Sequence, residues 1–222
     1  MNANVLCDRF RNWCGSGSRD FQSSRQQIRQ NPDSASGAPG QGEEVSFESA
    51  FEKTVGLEGG FGADPRDRGN WSSGRIGVGE LRGTKYGISA AAYPKIDIRN
   101  LTLDQAKVIY LRDYWLPLSL DEVQSEDLAD EIFDTGVNMG LSTAVKIAQR
   151  ALNFLGIGVY QEDGIIGPLT LAGINLWAQK DEQALFKAMN GFQFMRYVEI
   201  VNASDHTFAR GWMKRIQGYK GE

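Results

Sequence analysis

Hydrophobic positions recur at helical intervals from Val45 onward, whereas the stretch before it carries only scattered apolar residues. Phe47, Phe51, Val55 and Glu58 follow one another at spacings of four, four and three, so one helix face would carry three apolar side chains and end on a carboxylate. Ser46 is placed to cap this helix, Glu48 suits its positive first turn, and Gly59-Gly60 is its expected stop. The glycine-rich, mixed-charge segment 61–83 predicts a long irregular loop or a small hairpin containing Arg75-Ile76-Gly77-Val78. Thr102-Leu103-Asp104-Gln105 has capping-box form and opens a helix to about Tyr114, before Pro117 interrupts it.

Leu128, Ile132 and Phe133 mark the next helix, which runs toward Asn138-Met139-Gly140. Ser142 opens another, with Val145, Ala148, Leu152 and Leu155 as its buried stripe and Gly156 as its end. Asp163 to Pro168 reads as a turn into a helix whose first residue is Pro168 and whose buried positions are Leu169, Ala172, Ile174 and Trp177. A long helix from about Asp181 to Ile200 follows, and Phe208, Trp212 and Ile216 outline a last one. The body is thus expected to be mainly α.

Upstream, Asn31 to Glu44 is rich in Gly, Ser, Pro, Asn and Gln and reads as a flexible linker. Leu6, Phe10 and Trp13 fall on one helical stripe, so residues 1–44 are expected to form either a frayed extension or an arm that docks on a partner. The expected division is an arm and linker over 1–44, a first region over 45–137 and a helical second region over 138–222, the last two either separate or one compact fold.

Composition removes several classes of function. With 222 residues, 41% hydrophobic and 23% charged, the chain can bury a real core. A net charge of −4 offers no overall basic footprint for nucleic acid, and no apolar run approaches the roughly eighteen residues of a membrane span. The first residues lack the basic start, apolar core and cleavage site of a secretory signal, so cytoplasmic synthesis is expected. Cys7 and Cys14 would stand about 10 Å apart on a helix, too far for a disulfide, and are read as free thiols. His206 is the single histidine, which rules out a zinc site built from several histidines and restricts any Ser/His/Asp triad to that residue. Glycosidase chemistry, which needs carboxylates alone, survives, and no metal or organic cofactor is expected.

The ordered series Glu58-Gly59-Gly60-Phe61, Asp64-Pro65, Asp67, Gly83-Thr84-Lys85-Tyr86-Gly87-Ile88-Ser89, Tyr93-Pro94, the segment from Asp97 to Ala106 and Tyr110-Leu111-Arg112-Asp113-Tyr114-Trp115 resembles glycoside hydrolase family 108. That family contains bacteriophage endolysins and related bacterial N-acetylmuramidases. Phe133-Asp134, Val137-Asn138-Met139-Gly140, Asp163 to Thr170 and Gly211-Trp212 resemble the peptidoglycan-binding half that accompanies it. The resemblance covers nearly everything after residue 45 and implies a lysozyme-like helical fold with a small loop or hairpin region after the first core helix. It implies cleavage of the β-1,4 bond between N-acetylmuramic acid and N-acetylglucosamine, with Glu58 at the catalytic glutamate. In this chain the segment Asn70 to Arg82 is inserted before Thr84, and Gly83 stands where many relatives carry an acid.

Cleavage of a glycosidic bond needs a proton for the departing oxygen and a second polar group that positions water or stabilises the growing positive charge. With that requirement the resemblance implies Glu58 as proton donor, Asp67 in the second role ahead of Asp64, at a nine-residue spacing similar to that in phage-type lysozymes, and Thr84 holding the hydrolytic water; Tyr86, Asn138 and Asp64 are the expected substrate-binding residues. The expected partner is the glycan strand of peptidoglycan, in the periplasm or from a virion, with a phage structural protein on the arm. Three rivals stand beside the lysozyme: a lytic transglycosylase, a noncatalytic peptidoglycan-binding protein, and a lysozyme anchored in a virion by residues 1–44.

Overall fold

The computed structural model describes residues 45–56, 59–156, 160–203, 209–216 and 218, all within one compact unit, Glu43–Glu222. The arm, Glu58, His206 and Phe208 lie outside the described residues. The fold is mainly α, with a two-stranded hairpin after the first helix. No helix among the described residues is long and apolar enough to cross a membrane.

Helix α1 (Phe47–Thr54) starts where Ser46 Oγ accepts the Ser49 N–H at 3.4 Å. It is shorter than the apolar spacing predicts. The chain leaves the helix at Val55, and Gly56 turns it with a φ of 70°, its N–H and that of Val55 both reaching back to Phe51 O at 3.4 and 2.9 Å. The stop is thus Gly56 and not Gly59-Gly60, because a left-handed residue ends a helix wherever the first compatible glycine falls. The apolar helix face accordingly ends at Val55.

Phe47 and Phe51 drive α1 into the core. Phe47 meets Trp115 and Phe133 edge-on at centroid distances of 5.6 and 6.0 Å, and Phe51 meets Tyr110 at 5.4 Å. Tilted and perpendicular rings of this kind add attraction beyond the apolar area they bury. Tyr110 ends α2 (Leu103–Tyr110), which opens with the predicted capping box: Gln105 N–H donates to Thr102 Oγ1 at 3.2 Å, and Thr102 N–H donates to Gln105 Oε1 at 3.0 Å. A π-helical turn, Leu111–Trp115, and a short 3₁₀ turn carrying Pro117 continue from it.

Helix α3 (Glu126–Met139) is capped by Ser125 and joins α4 (Leu141–Phe154) through Gly140. The second of these begins one residue before Ser142, since Gly140 at φ 90° supplies the break. Val145, Ala148 and Leu152 form its buried stripe, as expected. Helix α5 (Pro168–Ala203) is bent at Asp181, whose non-helical backbone and carboxylate, accepting the Ala184 N–H at 3.0 Å, restart the helix where the sequence places a new one. Leu169 and Ala172 are exposed, contrary to expectation, while Leu171, Ile174 and Trp177 are buried. Ile174 and Trp177 face inward as predicted, and Leu171 takes the buried place expected of Leu169. A five-residue helix, α6 (Ala209–Met213), follows, and its Trp212 ring stacks on Tyr197 of α5.

Helix α3 carries an acidic row into the interior. Lys53 of α1 bonds Glu126 at 2.6 Å and also reaches Asp130, while Ser49 Oγ donates to Glu126 at 2.7 Å, so α1 is fastened to α3 by charge as well as by rings. Burial alone would depress the Lys53 ammonium, but hydrogen bonds and charge from Asp130 and Glu126 together hold it above its ordinary value. Glu131 is fully buried; its Oε1 accepts from Thr135 at 3.2 Å, and Gln193 of α5 donates to the same threonine at 2.9 Å.

Burial first, and the nearby charge of Asp134 second, push the Glu131 carboxyl up from 4.5 to about 8. A raised folded-state value means that the native state binds more protons than the unfolded chain between those limits. This contribution to stability is full below pH 4.5 and is lost as pH rises toward 8. Glu131→Gln, neutral throughout, should therefore gain on the parent as pH increases, by about 1 kcal/mol per pH unit across the window at most. Urea unfolding at pH 5 and pH 8 checks this, and equal pH dependence in the two proteins would contradict it.

Candidate active site

Strands β1 (Thr84–Lys85) and β2 (Ile88–Ser89) pair antiparallel, Thr84 with Ser89 and Lys85 with Ile88. Their two-residue turn is Tyr86-Gly87, with φ of 51° and 74°, the left-handed pair that matches the twist of a tight hairpin. On the outer side, Gly62 and Thr84 exchange backbone hydrogen bonds at 2.9 and 2.8 Å. The turn is held from two directions. Tyr86 N–H donates to Gly59 O at 3.0 Å, and Tyr110 of α2 donates its hydroxyl to Tyr86 O at 3.1 Å. Gly59, one peptide bond from Glu58, lies so close that a Cβ there would stand 2.6 Å from Tyr86 Cα.

The aspartates lie in the loop between Gly62 and the hairpin. Asp67 is exposed, and its Oδ1 accepts the Gly69 N–H at 2.8 Å to cap the 3₁₀ turn Arg68–Asn70. Asp64 is exposed and pairs in bidentate fashion with Arg66, whose hydrogen bonds hold its carboxyl down to about 2. Asn70 connects this loop to the hairpin from a buried position: its amide donates to Asp64 O at 3.0 Å, and its Oδ1 accepts the Thr84 hydroxyl at 2.7 Å.

The segment inserted before Thr84 closes on itself. Arg82 and Gly83 both donate their N–H to Asn70 O, at 2.9 and 3.0 Å, Trp71 bridges to Leu81, and Ser72 N–H meets Glu80 O at 2.9 Å. The chain therefore leaves at Asn70 and returns to Asn70, and Thr84 comes back beside the aspartate loop as though the insertion were absent. Glu80 sits out on this hairpin, exposed, 3.8 Å from Arg82.

Of the residues expected in the site, the structure brings Asp64, Thr84 and Tyr86 into one hydrogen-bonded assembly, with Asp67 in the same loop. The Thr84 hydroxyl spends its proton on Asn70, which leaves its lone pairs to accept from a water or a sugar hydroxyl. Asp67 keeps one carboxylate oxygen clear of the Gly69 contact. Asn138 stands elsewhere, on α3, where its amide donates to Asp134 O at 2.7 Å and lines a pocket with Arg215 and Trp212. Asn70 and Tyr110 are the positioning residues that sequence reasoning missed. A buried asparagine in a loop leaves no periodic trace, and Tyr110 reads as one more apolar member of α2. Among the described residues, no group of three or more His, Cys, Asp or Glu gathers as a metal site would require.

Residues 51–140 match the family model described as Glycosyl hydrolase 108, and residues 143–217 match that of a Predicted Peptidoglycan domain. The two matches meet next to the Gly140 joint between α3 and α4. Among solved structures, SagA of Brucella abortus is similar, with a TM-score of 0.56 and 23% identity over 77% of this chain and 88% of that one. At that identity the likeness speaks for the fold. No curated protein matches the chain.

Proposed function

We propose, from the premise that the chain is a glycoside hydrolase whose residues 51–140 belong to the glycosyl hydrolase 108 family, that it hydrolyses the β-1,4 bond between N-acetylmuramic acid and N-acetylglucosamine. The second matched region, residues 143–217, supports peptidoglycan as the polymer it acts on. The observation that carries the finer reading is the assembly around Gly59, in which the residue adjoining Glu58 is packed against the Tyr86-Gly87 turn while Asn70 ties Thr84 to the aspartate loop.

In this reading Glu58 protonates the glycosidic oxygen as the bond to the sugar carbon lengthens. Thr84 accepts a hydrogen bond from the attacking water, and Asp67 takes the water's proton or balances the positive charge on the ring. Tyr86 and Asp64 border the bound strand. Residues 45–137 supply this chemistry and residues 138–222 retain the wall polymer. The setting is phage-mediated wall degradation, with synthesis in the host cytoplasm, action in the periplasm, and residues 1–44 as the attachment to a phage structural protein.

Mass analysis of digested, purified peptidoglycan tests the reaction. Hydrolysis yields fragments ending in reducing N-acetylmuramic acid, each heavier by one water than the 1,6-anhydro ends a lytic transglycosylase leaves. Anhydro products would overturn the hydrolase assignment, and binding without new ends would remove catalysis altogether.

A further inference from the structure

A pocket of about 540 Å³ opens between the C-terminal end of α3, the second half of α5 and α6, away from the hairpin. Its wall includes Asn138, Arg196, Tyr197, Trp212 and Arg215. Two guanidinium groups sharing one pocket are notable in a chain of net charge −4. Arg215, 37% exposed at its side chain, is anchored at 3.0 Å by buried Asp134, and Arg196, 48% exposed, is met at 2.9 Å by Glu199. In each pair a single nitrogen, Nη1, makes the ion-pair contact, so among the described residues N–H donors remain on both planar forks. Arg196 also borders a second recess of about 290 Å³, whose wall carries Lys146, Glu199 and Arg150, the last paired with Glu162 at 2.8 Å.

The rest of the wall suits a ligand with both charge and methyl groups. Tyr197 and Trp212 stack with centroids 5.3 Å apart and planes 13° apart, so that part-exposed Trp212 covers the buried Tyr197 ring and presents its own apolar surface beside the two arginines. The Tyr197 ring is 3% exposed, and its hydroxyl is buried with no hydrogen-bond partner among the described residues, near the charges of Asp134 and Arg215. A buried phenol without an acceptor is costly, so the hydroxyl marks a polar interior behind the pocket wall.

We propose that this pocket binds the carboxylate-bearing stem peptide that hangs from the glycan strand, gripping it by Arg196 and Arg215 and resting its alanyl methyl on Trp212. This rests on peptidoglycan being the polymer acted on. The volume lies within the range of small-molecule sites and admits a short peptide. A free carboxylate matches the planar fork of arginine, which is why two of them select an anionic peptide over a neutral sugar. The second region thereby reads the peptide while the first cuts the glycan, which favours strands that still carry stems.

The test uses the full chain and L-alanyl-D-glutamate, a stem fragment without sugar, by titration calorimetry. Binding is expected to weaken at least tenfold in Arg196→Ala, to be partly restored by Arg196→Lys, and to vanish when both carboxylates of the peptide are amidated. Arg215→Ala removes the partner of buried Asp134 and would perturb folding, so Arg196 carries the comparison. In turnover assays, the preference for intact over amidase-stripped glycan should fall in Arg196→Ala. Equal affinity for free and amidated peptide, or undiminished binding in Arg196→Ala, overturns the proposal. Either failure is separable from failure of the hydrolase reading, since that would appear as no cleavage of stripped glycan by the parent protein.

Discussion

Glu58→Gln is expected to lower the release of reducing ends from purified peptidoglycan by about 10²–10⁴-fold, the usual worth of a positioned general acid. The amide has the shape of the carboxylic acid and no transferable proton, so it removes chemistry while preserving volume. Stability should be nearly unchanged, because Glu58 lies beyond the end of α1, whose packing rests on Phe47 and Phe51. Thermal unfolding of both proteins separates the two effects. Glu58→Asp keeps the acid but withdraws it by about one methylene, and misplacement on the scale of 1 Å costs up to about 10²-fold. Its rate should lie between parent and glutamine variant. A glutamine variant that keeps more than about a tenth of parental activity would assign the proton to another group, since general acids rarely contribute less than that.

Much of this frame is legible in the sequence. Amphipathic spacing announced α3 and α4 through Leu128, Ile132, Val145 and Leu152, because one buried stripe per helix is what lets each pack. Thr102 and Gln105 announced α2 through local hydrogen bonding alone, and the amphipathic run from about Asp181 announced the second half of α5. Where a signal depended on distant chain, it was silent. The stop at Gly56 was hidden because Val55 and Glu58 continue the spacing past the point where the backbone turns away. The self-closing insertion depends on Arg82 and Gly83 meeting the carbonyl of Asn70, a contact that no local pattern encodes.

The candidate site divides in the same manner. The ordered motifs that resemble the family singled out Glu58, Asp64, Asp67, Thr84 and Tyr86, and the need of glycosidase chemistry for carboxylates agreed with them. What holds Thr84 and Tyr86 in place, buried Asn70 on one side and Tyr110 on the other, emerges only from tertiary contact. Asn138, expected among the substrate-binding residues, lines a pocket together with arginine and aromatic side chains of α5, α6 and the segment after them, a neighbourhood that its position in the sequence does not announce. Leu169 and Ala172 show the cost of counting a helix face without its partner: the exposed side of α5 is fixed by where Ile174 and Trp177 meet the core.

Gly59→Ala is expected to lower kcat by up to about 10²-fold with a much smaller change in KM, because the site would shift as a unit without losing its strand-binding surfaces. An added Cβ would meet Tyr86 Cα at 2.6 Å and Tyr86 N at 2.9 Å, atoms of the backbone that no rotamer change can move aside. The hairpin turn has little room to retreat. Tyr110 holds Tyr86 O at 3.1 Å, and Gly87 already lies so close to Tyr110 that a Cβ on it would stand 2.4 Å from the hydroxyl. The strain therefore falls on the Gly59 side, one peptide bond from the proton donor, and overpacking of this kind costs about 1–3 kcal/mol of stability as well. Gly60→Ala is the control, since its Cβ would meet nothing within 4 Å, and it should unfold and turn over much as the parent does. Steady-state kinetics on soluble glycan fragments, with thermal unfolding alongside, decide the matter. If Gly59→Ala matched the control in kcat, the contact between Gly59 and the Tyr86-Gly87 turn would have no part in aiming Glu58, and the reaction geometry would have to be set from elsewhere in the chain.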